Sequence, residues 1–486
     1  MQGNKNKSLT SNSLFYLMSN VLNVFFPFLT GIYVAHVLFP DTIGRVESAR
    51  NLAQYFVIFA FLGIPTYGLR EISRARNNRS ELAKIYSELM IINAISTIVF
   101  ASIYYCIIFC VPYYKPNIKI YIVTGVAIIF NLINNSWLYE GLEEFKYISL
   151  RNLVFKILTF VLLVCLVKEQ DDYIIYAAIT VFGAVGNYII NIANAHKFTS
   201  FSFDDINIKR HLKPIMYLVA VNLAIEIYSL VDITMLGFLS NEENVAFYSY
   251  AVKIYRVFLQ IINTFTMVLV PRLAVYYKEK KNEELNDVLT KTMKVILVIS
   301  IPMIVGIDFV GNDIICLLYG EKYIRSAFVL KILDIILVIS PIGYLLGSRM
   351  LLVAKQENKM IIPVTLGAIT NVILNYLLII CYAEVGAAVA SAIGEIVVMA
   401  TYLVFGKKYY KLNSFKTTMI KESIALVLMS IGLYLLGFAG FNRALSISLK
   451  VITGVCIYFA TLIVLKEEIV YFYFNKILNK LRKLDV

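Results

Sequence analysis

The sequence predicts an all-α polytopic membrane protein with about fourteen transmembrane helices, counted as runs long enough to cross a bilayer. Of its 486 residues, 59% are hydrophobic and 16% are charged, whereas a soluble domain usually carries about 25% charged residues. The deficit of charge extends along the whole chain. Lysines and arginines gather in every second loop, which is the pattern that membrane topology produces. The net charge of +13 therefore reflects loop placement, and we expect no nucleic-acid partner.

Runs of about 20 mostly apolar residues, the length needed to span the bilayer, follow one another from the amino terminus. The first six predicted spans are 12–38, 47–69, 85–111, 118–139, 147–167 and 172–196. The next six are 214–239, 245–271, 288–310, 326–348, 360–382 and 385–406. Two more are 417–440 and 446–465. No small-residue cleavage site follows the first run, so we expect no removable signal peptide.

The distribution of bases sets the orientation. With the amino terminus inside, and with bases near a span end counted with the adjoining loop, the cytoplasmic segments hold 32 of the 45 Lys and Arg residues, the external loops hold 8, and 5 lie deeper inside spans. Because positive charge favours the cytoplasmic side, both termini are predicted to be cytoplasmic. After the last span, residues 467–486 place apolar residues at helical spacing opposite three lysines. This tail is too short to span and is expected to lie in the membrane interface.

The two six-span halves resemble each other. Segment 41–46 after the first span parallels 243–248 after the seventh, and segment 141–146 parallels 354–359. The second and eighth spans both end at a proline, Pro65 and Pro271, followed by a basic stretch. Since six is even, corresponding spans run in the same direction and the repeats are parallel. We expect an N-lobe at 1–200, a C-lobe at 201–411, a helix pair at 412–466 and the tail at 467–486.

Several blocks resemble a known family. Residues 33–38 with Gly44, and 62–72 (Leu-Gly-Ile-Pro-Thr-Tyr-Gly-Leu-Arg-Glu-Ile), are similar to the amino half of the Wzx-type oligosaccharide flippases, in the MATE-like exporter superfamily. Segments 137–141, 371–379 and 386–391 resemble their fourth, eleventh and twelfth spans. The resemblance implies two lobes around a central cleft. It also implies transport of undecaprenyl-diphosphate-linked sugar units across the bacterial inner membrane. The stretch 39–42 departs from the family's usual glycine-rich loop.

Charged side chains inside the spans indicate the candidate site. A basic side chain at the bilayer centre costs about 2.5–3.5 kcal/mol on insertion scales, so it needs a partner or a water-filled cavity. Helical spacing gives one polar face to each of the two repeat-related spans, the second and the eighth. The second carries Glu47, Arg50, Asn51 and Gln54. The eighth carries Lys253, Arg256, Gln260 and Asn263.

We expect these faces to line a wet, net-basic cleft between the lobes. Guanidinium forks bind phosphate oxygens in bidentate fashion and lysine adds a mobile charge, which suits a diphosphate. The predicted substrate-binding residues are Arg50, Lys253, Arg256, Asn51, Gln54 and Gln260. The competing interpretation is that the charges pair only with one another and hold helices together, as Glu47 can with Arg50.

Other polar residues in the spans leave their roles open. Glu226 and Asp232 are candidates for coupling to a proton or sodium gradient, or for neutralising Lys253 and Arg256. The remaining two of the five bases, Lys156 and Lys331, lie near span ends, where a lysine can reach the interface. Asn20, Asn23 and Asn222 add polarity to the first and seventh spans.

Three alternative functions stay open at this point. A membrane-embedded polymerase or glycosyltransferase is disfavoured because no loop exceeds about 25 residues, too short for a catalytic domain, so we expect no enzyme. A MATE-type cation or drug antiporter would favour an acidic, aromatic cavity. A lipid II flippase shares the span number. Six scattered cysteines and three histidines predict no metal site and no cofactor. Expected partners are the lipid-linked sugar, membrane lipids, and a polymerase and chain-length regulator of the same pathway.

Overall fold

The computed structural model describes residues 23, 25–267, 270–412, 415–438 and 440–482, without the side chains of 217–229, 264–267, 270–271, 357, 477–478 and 480–482. Helices make up its secondary structure, and no strand occurs in those residues, which confirms the all-α prediction. The chain forms two compact units, Met1–Ser249 and Tyr250–Val486. The predicted division into four parts, with its lobe boundary at residue 200, stays a prediction.

The first unit consists of helices joined by short turns. They are α1 (Phe25–Val37), α2 (Pro40–Phe61), α3 (Ile64–Ala75), α4 (Arg79–Cys110), α5 (Ile118–Phe130), α6 (Ser136–Gly141), α7 (Phe145–Leu166), α8 (Tyr173–Val185), α9 (Asn187–Ala195) and α10 (Lys209–Leu239). The start of α11 (Glu242–Met267) completes the unit. Short 3₁₀ turns lie at Pro112–Asn117 and Asn131–Ile133.

The second unit holds the rest of α11 and the helices that follow. They are α12 (Val270–Lys278), α13 (Asn282–Tyr319), α14 (Arg325–Leu333), α15 (Ile336–Gly343), α16 (Met350–Val353), α17 (Ile361–Gly406), α18 (Lys416–Gly437), α19 (Arg443–Val464) and α20 (Glu468–Arg482). A π-helical turn, Tyr344–Arg349, joins α15 to α16, and 3₁₀ turns lie at Glu321–Tyr323, Glu357–Met360 and Lys407–Tyr409.

Eleven described stretches are long and apolar enough to cross a membrane, and two shorter apolar helices are Phe25–Val37 and Leu230–Leu239. Every predicted span overlaps one of these thirteen. The 46-residue α17 overlaps two predicted spans, 360–382 and 385–406. Gly367 and Val398 lie so close in α17 that a Cβ on Gly367 would stand 2.2 Å from Val398. A straight helix would separate them by about 45 Å. The chain therefore reverses direction between them, at Ala383 (φ 47°, ψ −124°). The total of fourteen spans remains a prediction.

The second predicted span differs from the structure at both ends. Its helix begins at Pro40, since proline suits the first turn of a helix, so segment 41–46 is helical and not a loop. Asp41 in that turn pairs with Arg45 at 3.2 Å. The helix breaks at Leu62 and Gly63, which adopt left-handed φ values of 47° and 69°. Pro65 then lies in the first turn of α3.

Corresponding helices of the two halves begin at nearly constant spacing. Helices α2 and α11 start 202 residues apart, and α4 and α13 start 203 residues apart. Each half also follows a long helix with a short, basic one, α3 in the first and α12 in the second. This regularity supports the internal repeat that the sequence predicts.

Two of the blocks that resemble the flippase family, 62–72 and 137–141, pack against each other in the first unit. Trp137 is 1% exposed and belongs to a core that includes Tyr67, Ile72 and Tyr86. A Cβ on Gly68 would stand 2.8 Å from the Trp137 ring, and one on Gly141 would stand 2.7 Å from Ile72. The two glycines therefore let α3 and α6 come into close contact.

Candidate functional site

The polar residues of α2 divide into two rows. Glu47 and Asn51 are buried, whereas Arg50 and Gln54 are exposed. Arg50 donates a hydrogen bond to the Glu47 carboxylate, with 44% of the Arg50 side chain and 2% of the Glu47 side chain exposed. The expected single polar face is therefore an exposed row beside a buried one. The ion pair between the rows matches the interpretation that Arg50 also has a structural role.

Asn51 is committed to helix packing. Its amide donates to the backbone carbonyl of Leu230 at 3.1 Å and to the Thr234 hydroxyl at 2.7 Å, both on α10. Thr234 in turn donates to the Tyr55 hydroxyl at 3.1 Å. This chain of hydrogen bonds joins α2 to α10 inside the first unit. A ligand would have to break it to reach the Asn51 amide.

The polar face of α11 is arranged differently. Arg256 is exposed and forms no hydrogen bond or ion pair with the described residues. Lys253 is partly buried, with Nζ 4.4 Å from the centre of the Tyr250 ring. That ring packs on Tyr319 and Tyr323, at centroid distances of 4.3 and 4.8 Å. A lysine held over an aromatic face keeps its charge but loses some of its conformational freedom.

The candidate coupling carboxylates lie on α10. Asp232 is buried and accepts a hydrogen bond from the Tyr248 hydroxyl at 2.5 Å. The side chains of Glu226 and Asn222 lie outside the described residues, as does the whole of Asn20. Gln260 and Asn263 are partly buried on α11.

The lysines near span ends each have polar surroundings. Lys156 donates to the side-chain oxygen of Asn23 at 2.8 Å and lies 5.5 Å from the centre of the Phe26 ring. This contact joins α7 to the first predicted span. Lys331 is partly buried on α14. Lys156 therefore contributes to helix packing.

Sequence reasoning missed several buried charges. Arg151 and Lys294 were not among the five bases assigned to span interiors, yet each is less than one-tenth exposed. Arg151 donates to the side-chain oxygens of Asn191 and Asn152, and Lys294 pairs with Glu468 at 2.6 Å. Buried Glu384 pairs with Arg325 at 2.7 Å. For Arg151 and Lys294 the available signal was their position inside predicted spans, but closeness to a span end assigned them to the loops. Glu384 falls between two predicted spans, so the span pattern gave no signal for it.

No candidate metal site occurs in the described part of the chain. No group of three or more His, Cys, Asp or Glu side chains lies close enough together there to hold an ion. What the polar rows offer is binding, through guanidinium, ammonium and amide donors.

The fold and these polar rows define a multi-pass helical membrane protein. The chain resembles the solved lipid II flippase MurJ with a TM-score of 0.67 at 16% identity, over 90% of this chain and 99% of that one. It resembles an inward-facing multidrug resistance MATE family transporter with a TM-score of 0.60 at 14% identity, over 82% and 94%. These likenesses confirm the MATE-like fold.

The chain belongs to the polysaccharide biosynthesis protein family, whose model matches residues 9–277. The MatE model matches residues 218–377. A relative in Escherichia coli strain K12, named "Putative O-antigen transporter", is 21% identical over 416 residues, covering 83% of this chain and 98% of the relative. Membership confirms the family resemblance carried by the sequence blocks.

Proposed function

We propose that this chain is a flippase for undecaprenyl-diphosphate-linked oligosaccharide repeat units. It moves them across the bacterial cytoplasmic membrane by alternating access, for the synthesis of O-antigen, capsule or exopolysaccharide. The observation that carries the proposal is membership of the polysaccharide biosynthesis family together with a relative, named for O-antigen transport, that aligns over 98% of its own length. Both termini face the cytoplasm in this proposal, because 32 bases lie in the segments on that side.

The charges of α11 suit the diphosphate. Arg256 is exposed and has no partner among the described residues, so its fork is available for two phosphate oxygens. Lys253, one turn away, supplies a second positive charge held over Tyr250. The same positive charge disfavours a cationic drug as cargo, which argues against the antiporter alternative.

The exposed row of α2 suits the remainder of the substrate. Arg50 shares its charge with Glu47 and so offers a weaker anion site than Arg256. Gln54 and Gln260 carry amides that both donate and accept hydrogen bonds, as sugar hydroxyls require. Asn51 contributes indirectly, since its amide holds α10 in place.

Asp232 and Glu226 remain candidates for ion coupling. A buried carboxylate can exchange a proton or bind sodium as a transporter changes state. Asp232 is buried and accepts a hydrogen bond from Tyr248, which lies on α11. A change in the charge of Asp232 would therefore alter its hydrogen bond to α11.

A clean deletion tests the function. Loss of the protein is expected to leave the lipid-linked repeat unit in the inner leaflet and to abolish the surface polymer, in a strain without a second flippase. Lipid extraction with mass spectrometry identifies the accumulated molecule. Accumulation of lipid II instead would favour the lipid II alternative, and altered dye efflux with normal polymer would favour the antiporter. We expect a polymerase and a chain-length regulator of the same pathway to use the exported unit.

A further inference from the structure

Two buried carboxylates meet where α18, α19 and α20 converge. Glu422 on α18 is 1% exposed, and Glu467, in the turn between α19 and α20, is 0% exposed. The two are close enough to interact electrostatically. Two ionised carboxylates in a buried site repel each other and lose their hydration, so this pair requires an explanation.

Glu467 is fully engaged. One carboxylate oxygen accepts from the backbone N–H groups of Ile469 and Val470, both at 2.9 Å, and so caps the first turn of α20. The other accepts from the Thr418 hydroxyl of α18 at 3.4 Å, a long hydrogen bond. Glu467 therefore joins the start of α20 to α18.

Glu422, unlike Glu467, accepts no hydrogen bond from the described residues. Both of its carboxylate oxygens are buried and lack a hydrogen-bond partner in the described part of the chain. The hydroxyl of Tyr458 on α19, also 1% exposed, shares that condition. Tyr458 is near enough to both carboxyl groups to interact with them electrostatically, without a hydrogen bond to either. Buried polar atoms without partners are rare in folded proteins and indicate something the contacts have not yet supplied.

The neighbouring cations are engaged elsewhere. Lys421, on α18, donates to the backbone carbonyl of Lys466 at 2.8 Å, and the Lys466 side chain is exposed. Lys294, on α13, pairs at 2.6 Å with Glu468, the first residue of α20. Neither Glu422 nor Glu467 forms an ion pair with a lysine in the described part of the chain.

We propose that Glu422 and Glu467 form a proton-binding site that attaches the carboxy-terminal helix α20 to the last two spans. One proton, taken from the aqueous phase, resides on Glu422. The protonated carboxyl donates to the Glu467 oxygen that receives only the long bond from Thr418. A single proton thus gives Glu422 a hydrogen-bond partner and removes the repulsion between two buried negative charges. The proton comes from water and returns to water, so only the O–H bond of the carboxyl group is made and broken.

The site makes the attachment of α20 dependent on pH. Removing the proton at alkaline pH leaves two negative charges in a buried site. Glu467 can leave that site by moving toward water, but it then uncaps α20 and releases Thr418. The helix is expected to be attached at neutral and acidic pH and to detach as the pH rises. This inference does not depend on which molecule the protein transports.

Distance measurements on the full-length protein in lipid nanodiscs test the site. In a background without the six native cysteines, spin labels at Met419→Cys on α18 and Tyr473→Cys on α20 report the separation of the two helices. Both positions are exposed. Wild type is expected to show one short distance at acidic and neutral pH and a longer population at alkaline pH. A single distance across the whole range would overturn the proposal.

Two variants separate the site from its surroundings. Glu422→Gln is expected to keep the short distance at every pH, because a neutral amide can donate to Glu467 and does not titrate. Glu468→Gln removes an exposed neighbouring carboxylate and should keep the pH response of wild type. If both variants responded alike, Glu422 would not be the titrating group.

Infrared spectroscopy supplies a second readout that needs no stable variant at Glu422. The protonated-carboxyl band of the wild-type protein should disappear at alkaline pH as α20 detaches. Tyr458→Phe, which removes the polar hydroxyl near that carboxyl, should shift the band. Absence of a band that titrates with the distance change would overturn the proposal even if Glu422→Gln failed to fold.

Discussion

Gly44 on α2 lies against the backbone of Glu242 at the start of α11, and a Cβ on Gly44 would stand 1.7 Å from the Glu242 carbonyl oxygen. The first turns of the two repeat-related helices α2 and α11 thus touch inside the first unit. Only a residue without a side chain allows this approach. The block that resembles the flippase family includes Gly44, so the resemblance has a packing basis at this position.

Gly44→Ala is therefore expected to destabilise the protein. Forcing a methyl group into a packed contact costs about 1–3 kcal/mol, more than the roughly 0.5–1 kcal/mol that alanine gains over glycine in a helix. Thermal unfolding of the purified protein and its level in membranes measure the effect. Gly437→Ala is the matched control, because nothing lies within 4 Å of the Cβ it would add. Equal stability of the two variants would contradict the close contact.

The sequence predicted the positions of the helices well, because each membrane-spanning helix needs an apolar run of about 20 residues and such runs are easy to locate. It missed the break at Leu62 because leucine rarely adopts a left-handed conformation, and the glycine beside it does not fix where a helix ends. It also took segment 41–46 for a loop, although Pro40 is a normal first-turn residue. Local turn geometry depends on tertiary contacts such as that of Gly44 with Glu242.

The candidate site was predicted less completely. Helical spacing placed Glu47 and Arg50 together, and the structure pairs them. Spacing does not tell which side of a polar face packs on another helix, so Asn51 could not be separated from Gln54. Hydrogen bonds to α10, far away in sequence, bury Asn51. Arg151 was missed for a related reason: its partner Asn191 lies 40 residues away.

The pair of Glu47 and Arg50 should show energetic coupling. Removing one partner of a buried ion pair lowers stability by up to about 3–5 kcal/mol, because the other charge stays buried alone. The exposure of Arg50 reduces that cost. We expect Arg50→Ala and Glu47→Gln to lower stability individually and the double variant to lose less than their sum, with a coupling of about 0.5–3 kcal/mol. Unfolding of the four proteins in the cycle gives this value. The pair of Asp41 and Arg45, whose side chains are both at least one-third exposed, is the control, with about 0.3–0.5 kcal/mol expected.

Glu88 is a buried carboxylate of the first unit that accepts hydrogen bonds from several groups. It is 0% exposed and accepts from the backbone N–H of Asn207 at 2.6 Å, from Arg210 at 2.6 Å and from His211 at 2.7 Å. These contacts fix the start of α10 against α4. Glu88→Gln cannot accept them all and should cost about 3–5 kcal/mol, as breaking a buried pair does.

Glu81→Gln is the matched control for Glu88→Gln. Glu81 pairs with the same Arg210 at 3.0 Å, but 41% of its side chain is exposed. An exposed ion pair contributes about 0–1 kcal/mol. Thermal unfolding of both variants should therefore separate them clearly. A loss for Glu81→Gln as large as that for Glu88→Gln would mean that burial is not the cause.

The orientation can be tested with single cysteines in a background without the six native ones. Substitutions at Arg76, Lys280 and Lys408 should resist an impermeant thiol reagent in intact cells. Those at Asn117, Glu242 and Asn442 should react. The reason is the excess of bases on one side of the predicted membrane. Permeabilised cells control for local accessibility. Reaction of the cysteine at 280 from outside would contradict the parallel repeat.

The charges of α11 give the most direct test of the substrate site. Arg256 has no partner among the described residues, so Arg256→Ala should leave the membrane level of the protein near wild type. If Arg256 holds the diphosphate, the loss of a charged hydrogen bond, worth about 1.5–3 kcal/mol, should lower transport about tenfold to a hundredfold. Arg256→Lys should keep part of the transport, because the charge survives and the bidentate fork does not.

Lys253→Ala should also lower transport, with some loss of stability because Lys253 packs on the Tyr250 ring. Arg443→Ala, which removes an exposed arginine paired with Glu321 outside the proposed site, is the control and should transport normally. The measurement is surface polymer divided by membrane protein level for each variant. A fall in protein level that matches the fall in polymer would assign these charges to helix packing. Full activity in Arg256→Ala, Arg256→Lys and Lys253→Ala would show that the polar face of α11 does not bind the substrate.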